Sequence, residues 1–456
     1  MTADKIITGA TVVTVDDKRT IIRDGAVAIA GRHIAAVGHR AEIEAAHPEA
    51  ERIDATGQML LPGFVNLHVH CALAVTRGLG DDLGGAPVYR KDIPQGVLLS
   101  PSDTSTFSSL GGLQALKFGS TTIVENYIHA RANVRALDEL GIRAVVSERV
   151  HDADLFSVRD GEYVYDADMG KRLLEANAQL IEDWHGQDEG RITCHVGPHG
   201  PDTASTALLE QAAELADRYD VGMFIHLAQT AGEVAQVRGR TGVSSVRHLA
   251  DLGLLGPRLI AGHCAFLEDG DAELLADSRT NVCQLPVVNA KSGWIAPVAK
   301  LRRLGANVGL GTDNMVHDMV EAIRFALCVN RVSDGGPAHI VAMDVLEMAT
   351  IRGAQAIGRA GELGSIEAGK RADLLLVDLD GAHLAPVLDP VANLVYAGQS
   401  SDIHSVMVDG RFLVRERHAL TVDEREIVDR AQHRAEELWR TIGGWRLADA
   451  PAACRC

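Results

Sequence analysis

Several polar residues stand where apolar runs of the chain end, and their types suit metal chemistry. "NLHVH" places His68 and His70 two apart, on the same side of a strand. "HVGPHG" ends near His199, "FIHLAQT" carries His226, "AGHC" ends at His263, and "GLGTDN" brings Asp313. Imidazoles with one carboxylate suit Zn²⁺ or another borderline divalent ion, with a position left for water. A lone buried histidine is usually an ordinary core residue. Two imidazoles pointing the same way from an apolar strand are costly unless something pairs them. The ordered set therefore carries more weight than any one member.

Elements of two textures position these residues. Residues 1–60 read as short strands with Gly and Asp at the turns. From 61 to 359, short apolar strands alternate with amphipathic helices of about 10–15 residues. The strand candidates are "GFVNLHVH", "STTIVE", "RAVVSERV", "RITCHVGPHG", "VGMFIHLAQ", "RLIAGHC", "NVCQLP" and "NVGLGTD". Eight such strands fit an α/β fold of the (β/α)₈ TIM-barrel type, whose catalytic groups sit at strand ends. A doubly wound sheet would alternate in the same way. Residues 360–420 return to β texture, with Asp409-Gly410 as a hairpin signal. Together with 1–60 they predict a small β-sandwich built from both ends of the chain. Residues 421–456 read as a helix and a tail. Thr421 and Glu424 would form its capping box, with Val428, Ala431, Ala435 and Leu438 on one face.

Bulk properties narrow the function classes. The 456 residues carry a net charge of -18, which argues against a nucleic-acid binder. No window approaches the ~18 uninterrupted apolar residues of a spanning helix, and the N-terminus has no secretory pattern. Seven scattered cysteines, an odd number, argue against a disulfide framework and for a reducing cytoplasm. Cys454 and Cys456 lack the partner pair of a structural zinc site. Cys71 and Cys264 each follow a site histidine and would face the opposite side of their strands, as packing residues.

"LPGFVNLHVHCALAVTRGLGDDL", "IHLAQT", "AGHC" and "GTDN" resemble the amidohydrolase superfamily, and within it the cytosine deaminase, chlorohydrolase and S-adenosylhomocysteine deaminase branch. "GSIEAGKRADLLLVD" extends the resemblance to the accessory sandwich. The resemblance implies a metal-bearing (β/α)₈ barrel. It implies His68, His70 and His226 as metal ligands, with Asp313 touching the metal and accepting a proton from the bound water. His263 would hold the water and the substrate. No lysine stands at the end of the fourth strand, where "TCHVGPHG" offers His195 and His199 instead. One divalent ion is therefore expected, Zn²⁺ first, with Fe²⁺ and Mn²⁺ acceptable to the same ligands. Relatives are usually homo-oligomers, and the partner implied is a small heterocyclic substrate.

One position departs from the pattern. The branch carries His-x-x-Glu on strand five, and this chain has Gln229 in place of the glutamate. Glutamine does not exchange a proton near neutral pH. Another residue could carry the proton: Glu233, ~6 Å further along if helical, or His199, His317 or Asp318. The substrate could need less acid help, with Gln229 only orienting it. The chain could also be a silent ligand-binding paralogue. Substrate-contact candidates are His199, Arg149, Glu148, Glu125, Asn126 and His317. Glu148 and Arg149 could instead pair with each other, and Asp318 could cap a helix. The loop "GAPVYRKDIPQGVLLS" lacks the tryptophan-bearing pattern of homocysteine-nucleoside deaminases, which weakens a purine-nucleoside assignment. The function expected is metal-dependent hydrolysis of a C–N bond in a small nitrogen heterocycle, as an aminohydrolase. The alternatives are a cyclic amide or imide hydrolase, or a hydrolytic dechlorinase.

Overall fold

The computed structural model describes residues 2–81, 87–333, 336 and 339–442. Cys454, Cys456 and part of the loop after residue 81 lie outside them.

Five strands open the chain: β1 (Lys5–Val13), β2 (Ile21–Ala30), β3 (His33–His39), β4 (Glu51–Asp54) and β5 (Gln58–Pro62). The apolar runs between 64 and 314 then give β6 (Phe64–His70), β7 (Ser120–Tyr127), β8 (Arg143–Val150), β9 (Ile192–Cys194), β10 (Gly197–Pro198), β11 (Met223–Leu227), β12 (Leu259–His263), β13 (Asn281–Gln284), β14 (Val308–Leu310) and β15 (Asp313–Asn314). Helices separate them, as βαβ connections require. Strands β6 to β10 form one parallel sheet, and β11 to β14 another.

The two sheets meet at both seams. Val196 bridges Met223, and the His226 amide donates to the His199 carbonyl at 3.0 Å. On the far side the chain leaves β14, and β15 pairs in parallel with β6, Asp313 opposite Val69. The Thr312 amide donates to the His68 carbonyl at 3.1 Å. Gly311 allows this crossing, because a Cβ there would meet Leu285, Cys283 and the His68 amide within 2.9 Å. One apolar cluster joins Val124, Val145, Phe224, Ile260, Cys283 and Leu285 from successive strands. Alternate residues such as Val146, Ile225 and Leu227 belong to a larger cluster shared with the helices. This two-sided burial is what a barrel strand needs.

The last strands, β16 (Leu374–Asp378), β17 (Ile403–Val408), β18 (Arg411–Arg415) and β19 (His418–Ala419), join the first five. The result is one continuous nine-stranded sheet, ordered β19-β18-β17-β16-β5-β1-β2-β3 with β4 on β1. Asp409 and Gly410 turn between β17 and β18 with φ of 48° and 72°, as a two-residue hairpin demands. Arg143, at the start of β8, is fully buried against this sheet. Its guanidinium donates to both Asp373 oxygens at 2.9 Å and to Asp409 at 2.7 Å.

The C-terminal helix spans Glu424–Thr441 and packs on the helix Pro101–Lys117. Its cap differs from the sequence expectation. Asp423 accepts from the amides of Arg425 and Glu426, so the helix starts after Asp423 and not after Thr421. The Thr421 hydroxyl donates to the Leu140 carbonyl, and Glu424 pairs with Lys117. The buried face runs through Ile427, Ala431 and Leu438, while Val428 is exposed. Trp439 donates to the Val75 carbonyl at 2.8 Å and braces the segment after β6.

Candidate metal centre

Strand β6 delivers His68 and His70 to one side, with ring centroids 4.4 Å apart. Strand β11 brings His226, whose Nε2 lies 3.2 Å from His68 Nε2. Asp313 approaches from β15. Its Oδ1 is 3.5 Å from His70 Nε2 and 3.8 Å from His68 Nε2, and its Oδ2 is 3.6 Å from His263 Nε2. Candidate ligand atoms of His68, His70 and His226 lie within 4.8 Å of one another, as do those of His68, His263 and Asp313.

The hydrogen-bond partners decide what this cluster can hold. His226 Nδ1 lies 2.7 Å from the His199 carbonyl, which can only accept. The Nδ1 must therefore carry the proton, and the Nε2 lone pair faces the cluster. His263 Nδ1 likewise contacts Asn289 Oδ1 at 2.9 Å, and its Nε2 has no partner. Two lone pairs and a carboxylate thus converge beside His68 and His70. A cation fits that arrangement, and the carbonyl and amide behind each ring fix its orientation.

Burial keeps the imidazoles neutral, as ligands must be. It pulls His68, His70, His199 and His226 well below the ordinary histidine value, and His263 down to about 4. Burial pushes the Asp313 carboxyl up to about 7. Five residues at or just after these strand ends hold left-handed backbone: Ala228 (φ 48°), His263 (φ 70°), Cys264 (φ 49°), Asp313 (φ 67°) and Met315 (φ 65°). Non-glycine residues in that region carry strain, which concentrates at functional sites.

The other candidates divide. His199 is buried beside His226, ring centroids 4.8 Å apart, with Nδ1 against Thr203 Oγ1 at 2.8 Å. Arg149 is buried with Nη2 at 3.2 and 3.3 Å from the two His70 ring nitrogens. Glu125 accepts from the Cys71 amide at 2.9 Å, and burial pushes it up to about 7. Asn126 donates to Ser147 Oγ at 2.9 Å, behind the strand ends. Glu148 turns to the helix Ala130–Leu140, accepting from the amides of His129 and Ala130 at 2.9 and 2.8 Å. It makes no ion pair with Arg149. His317 is buried, with Nδ1 3.3 Å from Thr312 Oγ1. Asp318 accepts from the Glu321 amide in the first turn of the helix Met319–Ser333. Cys71 and Cys264 are buried in the larger apolar cluster.

Gln229 opens the turn into the helix Ala231–Thr241. Its amide donates to Glu233 Oε2 at 2.6 Å, and the Ala228 amide donates to Glu233 Oε1 at 2.8 Å. Both Glu233 oxygens are thus occupied by the backbone that follows His226. The sequence offers Glu233 as a helix residue and, as the lesser alternative, a proton carrier, but not as the partner of these two amides. Sequence reasoning missed Asn289 behind His263, and Asn66, whose side chain bonds both the amide and hydroxyl of Thr312. Asn66 is two residues before His68, so strand alternation would have placed it on the ligand side.

The amidohydrolase family model matches residues 59–413. The chain belongs to the amidohydrolase family. An imidazolonepropionase-like composite domain model matches residues 25–50, within the terminal sheet. A 5-methylthioadenosine/S-adenosylhomocysteine deaminase of Pelotomaculum thermopropionicum is 35% identical over 96% of this chain and 99% of its own length. A 5'-deoxyadenosine deaminase of Methanosarcina acetivorans is 36% identical over 96% and 98%. Among solved structures, an adenosine deaminase from Xanthomonas campestris with bound zinc superimposes with a TM-score of 0.89. It is 26% identical and covers 96% of this chain and 99% of that one. This amidohydrolase is therefore a hydrolytic enzyme of non-peptide C–N bonds, with a fold of the TIM-barrel type. No helix among the described residues is long and apolar enough to cross a membrane.

Proposed function

We propose that this amidohydrolase is a mononuclear, metal-dependent aminohydrolase that replaces an exocyclic amine of a small nitrogen heterocycle with oxygen. The observation that carries the reading is the convergence of the His226 and His263 Nε2 lone pairs and the Asp313 carboxylate on the His68 and His70 rings. Relatives named as deaminases of adenosine derivatives support amine release over ring opening or dechlorination.

A divalent ion, Zn²⁺ by the donor set, would be held by His68, His70, His226 and Asp313, and supplies Lewis acidity that lowers the pKa of water from ~15.7 toward ~7. The chain's own residues do the rest. Asp313, between His70 and His263, accepts the proton of the attacking water. His263, fixed by Asn289, presents Nε2 to orient that water. His199 and Arg149 bind the substrate. Gln229 offers amide hydrogen bonds to the ring but no proton. Asp313 is therefore left to pass its proton to the departing amine. Glu233, Glu148, Glu125 and Asn126 hold the strand-end backbone and its neighbours, and His317 supports Thr312 beside Asp313.

The test is a turnover screen of metal-quantified enzyme on aminated and oxo-heterocycles, scoring ammonia and ring opening separately. Wild type is expected to release ammonia, and Gln229→Glu to change the rate without being required for it. Wild-type silence on every aminated ring, with deamination only by the variant, would overturn the reading.

A further inference from the structure

Arg149 is the anomaly of the site. Its side chain is 1% exposed, yet Nε and Nη1 have no hydrogen-bond partner. Nη2 has only the His70 ring and a 3.4 Å contact to the Asn126 carbonyl. The guanidinium lies 4.7 Å from the Tyr127 ring centre. Among the described residues, no carboxylate comes within the 4.0 Å of an ion pair. The carboxylates nearest in the fold are engaged elsewhere. Glu148 is held by two helix amides, Glu125 by the Cys71 amide, and Asp313 faces imidazoles. A buried guanidinium with unmet donors is expensive.

The surroundings specify where the acceptors would come from. Contact with His70 puts the guanidinium beside the reacting centre, not at the end of a long substrate tail. It also lines a cavity of about 220 Å³ together with Ile128, Leu155, Phe156 and Met169 and the polar His151 and Asp154.

We propose that Arg149 is a specificity-determining residue that reads an oxo group on the substrate ring itself, so that this enzyme takes oxo-substituted amino-heterocycles over rings that carry only the amine. The proposal rests on the aminohydrolase reading, and deepens it. The ring oxo oxygen supplies the acceptor. One of the two unmet donors, Nε–H or Nη1–H, donates to that oxygen, and the guanidinium stays charged throughout.

Matched pairs test it: cytosine against 4-aminopyrimidine, and guanine against 2-aminopurine, each pair differing by one ring oxygen. Ammonia release and equilibrium binding are measured for wild type, Arg149→Met and Arg149→Lys, with metal content and folding verified for each. Wild type is expected to favour at least one oxo ring by about 100-fold in kcat/KM or affinity, the size of a charged hydrogen-bond pair. Arg149→Met should lower kcat/KM on the oxo ring of a pair by about 100-fold more than on its oxygen-free partner, and Arg149→Lys should recover part of that difference. Equal loss on both members of each pair would make Arg149 a brace for His70 and overturn the proposal. So would failure of every oxo ring to bind, or turnover with no preference, which leaves the aminohydrolase reading standing. Oxo-selective binding that depends on Arg149 without any ammonia release would do the reverse.

Discussion

Glu233→Gln separates two roles that the sequence leaves open. The carboxylate accepts from two consecutive amides, Ala228 at 2.8 Å and Gln229 at 2.6 Å. Ala228 holds left-handed backbone, so this segment needs external support. Glutamine keeps one acceptor oxygen but turns an NH₂ toward the second amide. One charge-assisted bond is lost and a buried N–H is left unpaired, which costs about 3 kcal/mol. Burial and the nearby Asp202 raise Glu233 above the ordinary carboxylate range, and the two amide donors pull the other way. Relief of repulsion from Asp202 offsets part of the cost. Amide hydrogen exchange at Ala228 and Gln229 should accelerate by about 100-fold, the equivalent of that cost. The melting temperature should fall by about 3 °C for a chain of this size. Turnover should drop with the mispositioned strand end, while the shape of the pH–rate profile stays as in wild type. Unchanged exchange and melting with a lost limb of the pH–rate profile would refute the positioning role, and would make Glu233 the proton carrier instead.

Four further outcomes follow from the geometry. Arg143→Met leaves Asp373 and Asp409 buried without their cation and should cost about 3–5 kcal/mol in denaturant unfolding, part of which Asp373→Asn restores in the double variant. Asn289→Leu removes the partner of His263 Nδ1 and should lower kcat by about 10- to 100-fold with metal content unchanged, read by steady-state kinetics and metal analysis. Burial pulls His195 down to about 4 from 6.5, so the fold favours its neutral form. Its stabilisation is complete above about pH 6.5 and is lost as pH falls toward 4, by up to about 3 kcal/mol, and His195→Gln should flatten that segment of the stability–pH curve. Removing the metal with a chelator should abolish turnover and lower the melting temperature, and Zn²⁺ should restore both, whereas His68→Ala should not be restored.

The parts of the site that the sequence made legible share one physical cause. A barrel strand buries both faces, so a polar residue at its end stands out against apolar neighbours. His68, His70, His226, His263 and Asp313 were visible for that reason, and β8 could be delimited at Arg143 and Val150 from its apolar run. What stayed hidden depends on partners distant in sequence. Glu148 looked like a substrate contact because it ends a strand, but the amides that occupy it belong to a helix that begins 18 residues earlier. The cap of the last helix was misplaced because Thr421 and Asp423 are both good caps, and the Leu140 carbonyl takes the threonine hydroxyl. The left-handed backbone at His263 and Asp313 has no glycine to announce it. Fixed pairings on both sides hold it.

The substitution at position 229 and the orphan guanidinium at 149 bear on each other. A ring that carries only an amine must take a proton at a ring nitrogen before its carbon accepts attack, and glutamine cannot supply one. A ring that also carries an oxo group can place the developing negative charge on that oxygen. Arg149, buried and in contact with His70, has free donors where such charge would need them. Electrostatic stabilisation by a fixed cation then does part of what proton donation does elsewhere, and the demand on Asp313 falls to a single transfer. On this argument Gln229→Glu should raise the rate on oxygen-free rings more than on oxo rings, and Arg149→Met should raise the benefit of the glutamate on oxo rings. A double-mutant cycle in kcat/KM reads that coupling directly. Effects that multiply independently on both ring types would mean that the two positions serve separate ends of the reaction.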